Sequence, residues 1–158
     1  MLATYTFNSD YRPQVNARSC RPSLRLLEGG KFAPEAFAPV VVQEAERPRL
    51  QFFRWGLVPS WTRDLKQRKR QRLFAPAHQV FQHPLYSQLV RQQRCLIPAD
   101  GFYLEEVAGN RRRIYKAALP QGETFCFAGL YDCWQQPDGS LLYSFTLLTT
   151  QATERFMS

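Results

Sequence analysis

Two carboxylates and a run of cations stand close together in GFYLEEVAGNRRRIYK, where Glu105 and Glu106 shortly precede Arg111, Arg112 and Arg113. Across a hairpin such charges offset one another, and three arginines at a tip also suit contact with phosphate. A denser cluster lies upstream, where RDLKQRKRQR sets Arg63, Lys66, Arg68, Lys69, Arg70 and Arg72 against a single Asp64. It reads either as a solvated basic loop or as an arm touching phosphates, which would make binding steeply salt-dependent. Just before it, RWGLVPSW interleaves Arg54 with Trp55, Gly56 and Trp61. Paired indoles of this kind are ordinarily core, yet aromatic faces beside basic side chains also stack unpaired bases, at roughly 1–3 kcal/mol per base. Gly56 would let backbone come close to a nucleotide.

Other chemistries find little support. Cys20, Cys95, Cys126 and Cys133 contain no C-x-x-C pair, and His78 and His83 are not at ligand spacing, so neither a metal, a cofactor nor a disulfide framework is indicated. Three of the cysteines sit in apolar, strand-like runs and read as core. The chain has no G-x-S-x-G, Walker or G-x-G-x-x-G pattern, which removes motif support for hydrolase-elbow, NTPase and dinucleotide readings. A net charge of +8 makes a polyanion the natural partner, nucleic acid ahead of an acidic membrane.

The elements that must position these residues are mostly strands. At 158 residues the chain suits one domain with a real core. Strands are expected at 5–7, at 37–43 with Pro39 at an edge or start, and at 49–58, stopping at Pro59. One helix is expected, with Pro84 in its first turn and Leu85, Leu89 and Val90 on one side, ending near Gln93. Strands at 95–97, 101–107 and 113–118 follow, the last two joined by Gly109-Asn110, and a second hairpin pairs 124–134 with 141–150 across QQPDGS. The fold class is therefore mainly β (α+β), mostly antiparallel with a few short helices, rather than alternating βαβ units.

No apolar run approaches the roughly 18 residues of a membrane helix. The start, MLATYTFNSDYR, lacks the regions of a signal peptide, and Arg12, Arg18, Arg21 and Arg25 only faintly resemble a transit segment. The expected address is intracellular: nuclear in a eukaryote, cytoplasmic or nucleoid in a bacterium.

RWGLVPSW, RCLIPADGFY, FAGLYDCW and SFTLLTT occur in an order that resembles the SRAP domain, the SOS-response-associated peptidase or abasic-site-processing family. The closing stretch, AGLYDCWQQPDGSLLYSFTLLTT, is most similar to the eukaryotic branch, whose human member is named as a 5-hydroxymethylcytosine-binding protein. The resemblance implies a β-rich SRAP fold that binds single-stranded or abasic-site DNA, or a single-strand/duplex junction. It also implies a cysteine after the initiator methionine whose α-amine forms a Schiff base with the abasic aldehyde and whose thiol closes a thiazolidine. Here that position is Leu2, followed by Ala3 and Thr4. Aligned on Ala75 and Ala77, the family's asparagine and arginine positions hold Phe74 and Pro76.

The family's glutamate directly follows the Gly-Phe-Tyr-like turn, whereas Leu104 intervenes here. Glu105 is expected to serve as the acid/base only where a bulge absorbs one residue; otherwise Glu105 and Glu106 are surface charges. The family's His-x-Arg-Met-Pro segment would fall after Ser158, so a single SRAP-like domain, C-terminally incomplete, is expected over 1–158. Non-covalent DNA binding is the expected function. An active crosslinker with lyase-type or autoproteolytic chemistry through another nucleophile, and a non-functional relative, are the alternatives.

Overall fold

Alternating side chains build the first half of the core. In β3 (Phe37–Glu44), Ala38, Val40 and Val42 are buried, and in β4 (Arg47–Trp55) Phe53 and Trp55 are buried with them. These strands belong to a computed structural model that describes residues 2–7, 30–65 and 72–151. They form a hairpin from Phe37↔Arg54 to Glu44↔Arg47. Pro39 is tolerated because β3 meets its other neighbour only at Val41 and Val42, so the strand is singly paired where the proline stands.

The large sheet runs β4-β3-β6-β9-β10-β5, with β5 at Phe74–Pro76, β6 at Arg94–Ala99, β9 at Phe125–Gln135 and β10 at Leu141–Thr149. A parallel pairing of β10 with β4, at Ser144↔Arg54 and Phe145↔Trp55, curls it into a barrel-like sheet. β5 extends the same edge of β10 in parallel, from Leu147↔Phe74 to Thr149↔Pro76. Ile97, Phe145 and Leu147 fill the interior with Phe53 and Trp55. Gly129 must be glycine there, since an added Cβ would lie 2.5 Å from Ile97 Cδ1 and 2.8 Å from the Thr146 carbonyl.

A second sheet, ordered β2-β1-β7-β8, is made by β1 (Leu2–Phe7), β2 (Gly30–Phe32), β7 (Gly101–Ala108) and β8 (Arg111–Ala117). Its β1 sends Tyr5 into the core, where the ring meets Phe32, Trp55 and Phe127 at centroid distances of 5.2, 5.4 and 5.9 Å. Helix α1 (Tyr86–Gln92) covers the outside of the barrel, burying Tyr86, Leu89 and Val90 against Leu57, Ala75 and Leu130.

The expected strand at 49–58 ends early, at Trp55, because Gly56 takes a φ of 122° that breaks the extended run. Among the cysteines expected in the core, Cys95 is buried and Cys133 half-buried, but Cys126 is exposed. Phe125 and Phe127 pack onto the core on either side of it, so alternation turns Cys126 outward.

The Tyr5 hydroxyl is fully buried and has no hydrogen-bond partner among the described residues; burial, and then the nearby Cys95 thiol, push its pKa far up. A buried polar group without a partner is destabilising. Tyr5→Phe should therefore raise unfolding stability by about 1 kcal/mol, read from the denaturant midpoint. A loss of that size would mean that the hydroxyl is bonded by a group outside the described residues.

Candidate nucleic-acid interface

The RWGLVPSW stretch divides at its glycine. Before it, Trp55 is 0% exposed, its Nε1 donating to the Leu73 carbonyl at 3.2 Å and its ring edge-on to Phe74 at 5.9 Å. The indole thus has no face open to a base and belongs to the core. Gly56 donates its N–H to the Phe145 carbonyl and turns the chain onto the outer face of β9 and β10. Its glycine identity serves this conformation, at a φ of 122°.

Beyond Gly56, residues 57–62 form a strap pinned at several points. The Leu57 N–H donates to the Arg72 carbonyl, Val58 N–H to Ser144 Oγ at 2.7 Å, and Ser60 N–H to Asp132 Oδ2 at 2.8 Å. Trp134 Nε1 donates to the Thr62 carbonyl at 2.6 Å. Asp132 is buried and its other oxygen accepts the Cys133 N–H at 2.8 Å, so both oxygens of the carboxylate are engaged. The strap lifts Trp61 to 63% exposure, with exposed Arg63 close after it. This pairing of a rigidly based indole and a cation is what a stacking platform requires.

Arg54 is committed elsewhere. Its guanidinium meets Glu35 Oε1 at 2.6 Å and the Gly56 carbonyl at 3.4 Å, and its side chain is only 13% exposed. Glu35 gave no signal in the sequence; it stands in a turn at φ 72° whose backbone N–H donates to the Trp55 carbonyl. Arg72 is half-buried, and its charge opposes the burial that raises the Tyr86 phenol pKa. Lys66, Arg68, Lys69 and Arg70 lie outside the described residues.

Of the positions that the resemblance sets against the family's chemistry, Leu2 and Leu104 fall on the second sheet and Phe74 on β5 of the large one. β1 meets β7 at Thr4↔Tyr103 and Leu2↔Leu104, so the bulge is in β1 and no residue of β7 is absorbed. Phe102 packs on Phe125 and Phe127, and alternation gives Leu104 that same face. Without a bulge in β7, Glu105 lies on the opposite face with Tyr103, where its Oε1 meets Arg112 NH1 at 3.4 Å. On that face Lys31 Nζ stands 5.1 Å from the Tyr103 ring centroid. Phe74 is half-buried against Trp55. Arg111, Arg112 and Arg113 are all exposed along β8.

Among the described residues, no three His, Cys, Asp or Glu side chains are grouped to hold a metal, and no helix is long and apolar enough to cross a membrane.

A family model described as SOS response associated peptidase (SRAP) matches residues 8–158. The abasic site processing protein YoqW of Bacillus subtilis is 32% identical over 158 residues, covering 98% of this chain and 70% of that protein. The abasic site processing protein HMCES of Gallus gallus is 27% identical over 151 residues, covering 77% of this chain and 45% of its own length. A crystal structure of a Bordetella bronchiseptica protein superposes with a TM-score of 0.74 at 20% identity, over 95% of this chain and 72% of that one, a likeness of fold.

The two indoles of RWGLVPSW should respond differently to truncation. Trp55→Ala should cost about 3–5 kcal/mol of stability, as for a large buried aromatic. Trp61→Ala should move the unfolding midpoint by less than about 0.5 kcal/mol, as for a surface change. Equal destabilisation in chemical denaturation would contradict the division of the motif at Gly56.

Proposed function

The chain belongs to the SRAP family, and from that premise we propose that it acts in the response to DNA damage by binding single-stranded or abasic-site DNA without bonding to it covalently. The observation that carries this reading is Trp61, held on a strap fixed by Ser144, Asp132 and Trp134 and followed by the basic stretch 63–72. The indole supplies a sequence-tolerant face for a base, and the cations supply attraction to phosphates that weakens with salt. Relatives named for abasic-site processing support DNA as the partner.

The non-covalent character follows from side-chain chemistry. Leu2 has no thiol, so a thiazolidine cannot form at that position. Phe74 offers no amide and packs against the core instead, and Leu104 offers no carboxylate. Glu105, paired with Arg112 on the other face of β7, is a poor candidate for proton transfer at the same place. A deoxyribose at an abasic site would meet shape and apolar contact here rather than a nucleophile.

Trp61→Ala should weaken binding of a fluorescent oligothymidine by about tenfold, in line with the roughly 1–3 kcal/mol that stacking supplies. Replacing Lys66, Arg68, Lys69 and Arg70 by Ser should flatten the dependence of log affinity on log salt, by about 0.7 for each single-strand phosphate that is no longer neutralised. Unchanged affinity in the folded Trp61→Ala protein would remove the platform from the reading.

A further inference from the structure

The β7–β8 hairpin outgrows the sheet that carries it. The described pairing of β1 with β7 reaches Leu104, so from Glu105 onward β7 has only β8 as a neighbour among the described residues. Pairs from Glu105↔Ile114 to Ala108↔Arg111 form a two-stranded ribbon, closed by Gly109 at φ 60°. At about 3.3 Å per residue these pairs project roughly 13 Å.

The composition of the ribbon is lopsided. Every residue of β8 from Arg111 to Lys116 is exposed, Ile114 at 71% and Tyr115 at 47%. Alternation divides the cations between the faces, Arg112 and Lys116 on one, Arg111 and Arg113 on the other. The acidic positions 105 and 106 sit toward the base, in register with Ile114 and Arg113. The 3.4 Å pair of Glu105 with Arg112 is solvent-facing, with 78% of the Arg112 side chain exposed, and an exposed pair of this kind is weak enough to yield to a phosphate. Charges do blunt an edge strand against self-pairing, but that task does not require three successive arginines at the protruding end.

We propose that this ribbon is a second nucleic-acid surface, distinct from the Trp61 strap, and that it enters the major groove of duplex DNA with arginines on both faces reaching the phosphates of the walls. A major groove about 12 Å wide and 8.5 Å deep accepts a two-stranded ribbon, and the projecting length exceeds that depth. The contact is backbone-driven, so it is sequence-independent and salt-sensitive. It rests on the reading of the chain as a DNA-binding protein, and adds that duplex is held by the β7–β8 ribbon, an element separate from the strap that takes a single strand.

The test measures the full chain against a 20-base-pair blunt duplex and against oligothymidine. Replacing Arg111, Arg112 and Arg113 by Ser should lower duplex affinity at least tenfold and single-strand affinity no more than threefold, whereas Trp61→Ala should do the reverse. A control with the same reduction in charge, Arg47, Arg91 and Arg94→Ser, should lower duplex affinity less than threefold. Methyl green, which occupies the major groove, should displace the protein, and netropsin, a minor-groove ligand, should not.

Equal weakening by the two triple variants would overturn the ribbon assignment, as would displacement by netropsin alone. Tighter binding of a ten-residue polyglutamate peptide than of duplex, abolished by the ribbon variant, would assign the edge to an acidic strand instead. Wild-type protein that binds oligothymidine but not duplex overturns this proposal alone. Protein that binds neither overturns the DNA-binding reading itself.

Discussion

The parallel contact between β4 and β10 is the constraint on which the rest of the molecule depends. It closes the curled sheet at Ser144↔Arg54 and Phe145↔Trp55, and the next residue, Gly56, gives its N–H to the Phe145 carbonyl while reversing the chain outward. Were the strand to continue straight, residues 57–62 could not lie over β9 and β10, and Ser144 and Asp132 would lose the backbone N–H groups they accept. A buried hydroxyl and a buried carboxylate cost stability when they lack such partners. One closure thus secures the core on one side and presents Trp61 on the other.

The same economy shapes the second sheet. Tyr5 ties β1 to the barrel through rings of Phe32, Trp55 and Phe127, and Thr6 donates to Asp100 Oδ1 at 2.5 Å while Asp100 returns its N–H to the Thr6 carbonyl. β7 is thereby held with Phe102 inward and Glu105 outward. Apolar residues, Leu2, Phe74 and Leu104, stand at the positions that the resemblance sets against the family's reacting groups. Arg63 is exposed just after the strap, and Arg111, Arg112 and Arg113 are exposed along the projecting ribbon.

Much of this was legible in the residues. Alternation and the turns at Gly109-Asn110 and Pro137-Asp138-Gly139 mark the hairpins, and Leu89 and Val90 mark the buried side of the helix. β2 and β5 were not legible: GKF and FAP are too short to show a period, and they are strands only because β1 and β10 offer them edges. Nor could spacing separate Trp55 from Trp61, because the decision rests on a glycine dihedral and a non-local parallel pairing. The face taken by Glu105 depended on which strand carried the bulge, and local sequence is silent on that.

A denaturing gel tests whether this SRAP-family chain binds damaged DNA without bonding to it. Folded protein would be incubated with a single-stranded oligonucleotide carrying one abasic site, beside an intact oligonucleotide. No retarded band is expected under denaturing conditions, and a retarded complex is expected on the matching native gel. A heat-stable band specific to the abasic strand would contradict that expectation, and would mean that an amine or another thiol of this chain traps the aldehyde in place of the missing cysteine.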